Sequence, residues 1–164
     1  MEKTILAMQV ALSAVVAWVS AKLGILAPVL GLLLLMMVID YLSGMAASKK
    51  EAIDHPGDAS YGWSSKKGAK GIIKKVGYAC VIVVAMVLDY ITVNIAGTIG
   101  INMPGKAFLG LLVAIWYILN EILSIIENAG RMGANVPEWL TKYIAVLKNK
   151  IDDSSESEEI TKTK

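Results

Sequence analysis

The sequence predicts an all-α integral membrane protein. It should have four transmembrane helices with both termini in the cytoplasm, a cytoplasmic amphipathic C-terminal helix and a disordered acidic tail. Three observations carry that expectation. Of 164 residues, 55% are hydrophobic in type and the mean hydropathy is +0.58, more apolar surface than a water-soluble domain of this size can bury. Four apolar stretches supply about 17 to 22 helical residues each, close to the roughly 20 that cross a bilayer core. With four spans, 14 of the 16 basic residues fall on one side and only Lys22 and Lys106 on the other. The positive-inside rule then assigns the lysine-rich side to the cytoplasm.

The elements follow in order. A membrane domain of residues 1–129 should hold spans at about 5–21, 23–40, 74–96 and 107–128. The first stretch is uncharged and ends at Lys22. Lys3 and Val19-Ser20-Ala21 loosely imitate a cleaved signal, but the apolar run is long for one and Glu2 is out of place, so it reads as a span. The second stretch is also uncharged and ends at Asp40. One helix over both would run about 35 residues at 1.5 Å each and overshoot the core, so a tight hairpin is expected at Lys22-Leu23-Gly24. Pro28 suits the early part of the second helix.

Residues 43–73 read as a cytoplasmic loop. Its first half is mixed in charge and turn-rich at His55-Pro56-Gly57. Its second half is basic without an acid: Lys66, Lys67, Lys70, Lys74 and Lys75 read as a membrane-surface cluster. Positions 67, 70 and 74 share a helical face, which suits a surface helix resting on anionic headgroups. Beside a span, such a run is a topology determinant rather than a nucleic-acid site. His55 between Asp54 and Asp58 is weak metal-ligand spacing and reads as solvated loop, while Tyr61 and Trp63 suit interfacial anchors. The uncharged segment 95–105, with Gly97, Gly100, Pro104 and Gly105, should be a short external turn. After the fourth span, Gly130-Arg131-Met132-Gly133 breaks the helix and Pro137 opens another. Leu140, Tyr143, Ile144, Leu147 and Ile151 line one face of it, so residues 130–151 should lie on the cytoplasmic surface or on a partner helix. Residues 152–164 bury nothing and read as disordered.

The fourth span is the unusual one. It is apolar to Leu119 and then carries Asn120, Glu121, Ser124, Glu127 and Asn128 without ending. At about 100° per residue these fall at roughly 0°, 100°, 40°, −20° and 80°, one face about 120° wide. A carboxylate facing lipid at mid-depth is disfavoured by roughly 2.5 kcal/mol or more, so this face should meet protein or water. Asp89, inside the third span, raises the same requirement. These six residues are the candidate pore or oligomer contacts. The alternative is a helix whose last two turns meet the headgroups.

Enzymatic chemistry finds no footing. There is no phosphate-binding Gly-rich loop, no paired CxxC, no HExxH and no nucleophile elbow. No catalytic residue, metal or cofactor is expected. The single cysteine, Cys80, excludes an intrachain disulfide and reads as a small hydrophobe.

One resemblance runs through the chain from about Ile39 to Leu147. It rests on Asp40-Tyr41-Leu42-Ser43-Gly44 at a span end, then Ser64-Ser65-Lys66-Lys67-Gly68-Ala69-Lys70-Gly71-Ile72, then Leu88-Asp89. The block from Asn120 to Gly130, with Val136-Pro137 after it, is the most specific part. Together they resemble the phage-lysis and toxin-secretion holins of Gram-positive bacteria and their phages. Residues 52–62 look like extra sequence relative to that family's shorter link. The resemblance implies a small protein that self-associates in the host's cytoplasmic membrane and forms lesions. Through these a cytoplasmic endolysin, or a toxin without a leader, reaches the cell wall, without direct binding to the holin. It also gives Asp40, Tyr41 and Gly44 the standing of a family motif. The competing readings are a small ion channel or exporter of another family, and a non-conducting membrane scaffold.

Overall fold

A computed structural model describes residues 2–58, 60–101 and 108–161; side chains at 12, 16, 19 and 152–161 lie outside the description. Five helices follow one another: α1 Glu2–Leu23, α2 Leu26–Asp54, α3 Ser65–Thr98, α4 Phe108–Arg131 and α5 Glu138–Thr161. No strand occurs among the described residues. The first four are long and apolar enough to cross a membrane.

Gly24 makes the α1–α2 hairpin. Its φ of +56° is the left-handed conformation that lets a helix stop within one residue, and its N–H donates to Ser20 O at 2.9 Å. Helix α1 then stands apart, touching only α2, and every one of its described side chains except Leu23 is exposed.

The segment expected as a loop over 43–73 is mostly helix. α2 continues fourteen residues past Asp40, because Ala46, Ala47, Lys49, Lys50, Glu51 and Ala52 are good helix formers. A Lys50–Asp54 pair supports its last turn, His55 N–H donates to Glu51 O, and Pro56 stops it. The basic run is likewise not a separate surface helix. Ser64 caps α3 by accepting from Lys67 N–H at 3.2 Å, and the helix runs unbroken from the lysines into the apolar stretch. Only residues 55–64 link the two. There His55 stacks on Tyr61 at 4.1 Å and Lys67 donates to the carbonyls of Ser60 and Gly62. The outer turn expected over 95–105 is described only to Ile101; Pro104, Gly105 and Lys106 lie outside the described residues. At the other end, α5 does not stop at Ile151 as expected. Its backbone stays helical to Thr161, into the stretch read as a disordered tail.

Helix α4 is the centre, packing on α2, α3 and α5. The core joins Leu26 and Leu33 of α2, Tyr78 and Ile82 of α3, and Ala114, Tyr117 and Ile118 of α4. Tyr78 and Tyr117 stack with ring centroids 3.8 Å apart, and Ala114, fully buried, lets the helices come close. Between membrane helices such contact works by van der Waals packing rather than by release from water.

The start of α4 is held by another helix. Asp89 of α3 accepts the N–H of Leu109 at 2.9 Å and of Gly110 at 2.8 Å, two of the donors that a helix start leaves without partners. Its charge also complements the positive end of the helix dipole. Gly110 makes the approach possible: a Cβ there would lie 3.0 Å from Met86 Cγ and 3.4 Å from Asp89 Oδ2. Asp89→Ala is therefore expected to destabilise the detergent-solubilised protein by about 2 kcal/mol, in the range of a lost N-cap. Gly110→Val should do so by at least as much, because its branched side chain pushes α4 off the cap. Thermal unfolding in micelles checks both, and two variants melting like the parent would remove the cap from this account.

Candidate functional site

The polar groups meet where the apolar parts of α2, α3 and α4 give way to the lysine-rich end. Glu121 of α4 is 2% exposed and pairs with Lys75 of α3. The same ammonium donates to Asp40 Oδ2 of α2 at 2.9 Å. One cation thus sits between two carboxylates, each from a different helix. Glu121 is buried and Lys75 and Asp40 are half-buried, so each charge depends on its partner, and leaving the buried Glu121 without its cation is the costliest loss.

A second tier lies one to two turns further along. Asn128 of α4 directs its amide N–H groups at Asp40 Oδ1 (3.2 Å), Asp40 O (3.4 Å) and Ser43 Oγ (3.0 Å). Its own Oδ1 accepts from Arg131 Nη1 at 2.9 Å. Arg131 then grips Glu51 with two bonds, Nε to Oε1 at 2.7 Å and Nη2 to Oε2 at 2.8 Å. This two-pronged geometry is the one in which guanidinium and carboxylate match best. Beside the tier, Tyr41 and Trp63 crowd Gly68: a Cβ there would lie 3.1 Å from the Tyr41 hydroxyl and 3.3 Å from Trp63 Cζ2. A cleft of about 290 Å³ opens between them, lined by Tyr41, Gly44, Lys67, Gly68, Ser124 and Asn128 among others.

The single polar face expected on α4 is therefore divided. Glu121 and Asn128 form a sealed margin against α2 and α3, with half-buried Ser124 on the cleft. Asn120 and Glu127 form the other margin. Glu127 is exposed, and Asn120 accepts from Lys148 of α5 at 2.7 Å. Asp89 belongs to neither, being at the opposite end of α4. Of the five lysines of the basic run, Lys66, Lys67, Lys70 and Lys74 are exposed and Lys75 is half-buried. Lys67 folds onto the link, and Lys74 lies over the Tyr78 ring at 5.5 Å. Lys75 turns inward, because two carboxylates on neighbouring helices need a cation between them.

Ser43, Glu51, Arg131 and Lys148 were not expected at the site. The first and third had a signal in the sequence: Ser43 lies one turn after Asp40 and Arg131 one turn after Asn128, on the same helix faces. Glu51 had none, since it was placed in a loop.

Comparison with known proteins covers this whole region. Residues 17–149 match the family model of the bacteriophage holin family. An uncharacterized protein of Halalkalibacterium halodurans is 34% identical over 119 residues, 73% of this chain and 77% of the relative. One of Listeria innocua is 34% identical over 120 residues, 73% and 71%. One of Clostridium perfringens is 32% identical over 118 residues, 72% and 73%. No solved structure matches the chain. The matched segment contains the hairpin, both tiers of the polar site and the start of α5, and on it the chain belongs to the bacteriophage holin family, as a multi-pass protein of the cytoplasmic membrane.

Proposed function

We propose that this protein oligomerises in the cytoplasmic membrane, with both termini inside, and opens lesions that release an endolysin, or a leaderless toxin, to the cell wall. The observation that supports this best is the division of polar groups on α4. A stable membrane protein can satisfy Glu121 and Asn128 internally, as here. The Asn120–Glu127 margin has no such enclosure from the other spans, and in lipid it favours protein or water on that side. Many copies presenting that margin to one another enclose a polar lumen. Anionic lipid headgroups suit the exposed Lys66 and Lys70. The holin family is not an enzyme family, and nothing at the site requires turnover.

Inducible expression in a bacterium that holds a cytoplasmic cell-wall hydrolase, with optical density and membrane potential followed together, tests the reading. The expected outcome is a delay, then collapse of both, with lysis dependent on the hydrolase. Loss of potential without lysis would indicate a small channel, and continued growth with the protein in the membrane a scaffold.

The charge layer predicts an order among variants. Lys75→Met leaves Asp40 and Glu121 facing each other without a cation and should lower membrane accumulation the most. Glu121→Gln keeps the Lys75–Asp40 pair and should be milder. Glu127→Gln, on the open margin, should leave accumulation unchanged and shift the time of lysis. Immunoblots of membranes against lysis time separate the three, and an accumulation defect confined to Glu127→Gln would reverse the assignment of margins.

A further inference from the structure

Helix α5 packs along α4 rather than standing apart from it. It runs antiparallel along α4 from the short link at 132–137. Ile144 is buried, Lys148 reaches Asn120 and lies over the Trp116 ring at 4.5 Å, and Ile151 shares a crevice with Leu109, Leu112, Val113 and Trp116. The polar layer at Glu121 marks where the apolar part of α4 begins, and Leu112 lies nine residues inside it, about 13 Å deeper. So the turn of α5 from Lys148 to Ile151 lies alongside the apolar part of α4. At that level its outer side presents Asn149 and Lys150, both exposed, while Trp139, Tyr143 and Val146 are exposed nearer the start of the helix. A surface helix as amphipathic as this would be expected to rest on the headgroups instead.

Two surroundings resolve the conflict differently. With lipid on that side, Asn149 and Lys150 would face hydrocarbon, which favours α5 leaving α4. With water on that side, the apolar stripe of α5 covers Trp116 and Val113 while its charges stay solvated. We infer that α5 folds against α4 on the wall of the water-filled lesion, so that the Asn149–Lys150 side of α5 and the Asn120–Glu127 margin together form the lumen surface. In a copy surrounded by lipid, α5 lies away from α4. The docked arrangement therefore stabilises the assembled lesion over the dispersed protein. This inference rests on the lesion-forming reading above.

Proximity of the two helices before and after lesion opening tests it. In full-length Cys80→Ala protein, two cysteine pairs are made separately: Asn120→Cys with Lys148→Cys, and Val113→Cys with Ile151→Cys. A protease site in the 132–137 link reports intramolecular cross-linking, since a cross-linked chain stays whole after cleavage. Membranes are taken before and after loss of potential and treated with a short bismaleimide. The expected result is a cross-linked fraction roughly tenfold or more higher after opening, because burial of a charged group in hydrocarbon disfavours docking by at least that much. Equal cross-linking before and after would overturn the inference, as would its absence in both pairs while permeability develops normally. If the Cys80→Ala parent never collapses the potential, the lesion reading itself fails, and that is read from the potential without reference to the cross-link.

Discussion

Lys75 between Asp40 and Glu121 is the constraint on which the arrangement of the spans depends. An ammonium and two carboxylates in an otherwise apolar layer must stay together, and each is fixed to a different helix. That sets the height of α2, α3 and α4 relative to one another more strictly than apolar contacts do, since leucines slide past leucines at little cost in a membrane. The opposite end repeats the principle with a carboxylate and backbone donors. Lys75 and Asp89 are fourteen residues apart on α3, as are Leu26, which packs near Gly110, and Asp40 on α2. Both helices thus cross the same layer of about 21 Å between two polar levels. The centre of α4 is left to aromatic stacking and small residues.

Because these groups satisfy one another within one chain, the three-helix unit is complete by itself. Self-association need not break it. What remains for other copies is everything outside the unit: α1, exposed in its described side chains except Leu23, the open margin of α4, and α5. This suits the proposed function, in which the protein resides in the membrane without harm and then assembles. A polar group whose partner is internal does not drive association, while one at an open margin does so in proportion to how poorly lipid accommodates it. Glu121 and Glu127 are six residues apart on one helix and fall on opposite sides of that distinction.

Four long apolar helices and the turn at Gly24 were legible in the sequence because they follow from composition, length and one residue's backbone freedom. The polar face of α4 was legible as a face, but its division was not. Helical angle places Asn120 and Glu121 within one arc, and only the position of Lys75 on a second helix decides which of them is sealed. Asp89 was recognised as costly, yet its partners are backbone N–H groups, which every residue carries and no pattern marks. The error over 43–73 has a plain cause. Charge and glycine suggest a loop, whereas Ala, Lys and Glu form helix well in water, and Gly68 sits where Tyr41 and Trp63 leave no room for a side chain.

The continuous helices change what the lysine-rich end is. At 1.5 Å per residue, the 34 residues of α3 span about 51 Å, well beyond a hydrocarbon core of about 30 Å. Its basic turns therefore project beyond the apolar layer, braced at Gly68 by Tyr41 and Trp63, beside an extension of α2 that is tied to α4 by the Ser43–Asn128 and Glu51–Arg131 bonds. This explains why residues scattered over three segments, Asp40, Tyr41, Ser43 and Gly44, then Gly68, then Asn128, carry the family resemblance together: they are parts of one contact. It also fixes the exposed Lys66 and Lys70 at a set height above the apolar layer. Charges on a flexible loop would find the headgroups at any depth. In the proposed orientation, charges on a braced helix would hold the polar layer at Asp40 and Glu121 at one level relative to the headgroups, and with it the depth of the open margin of α4.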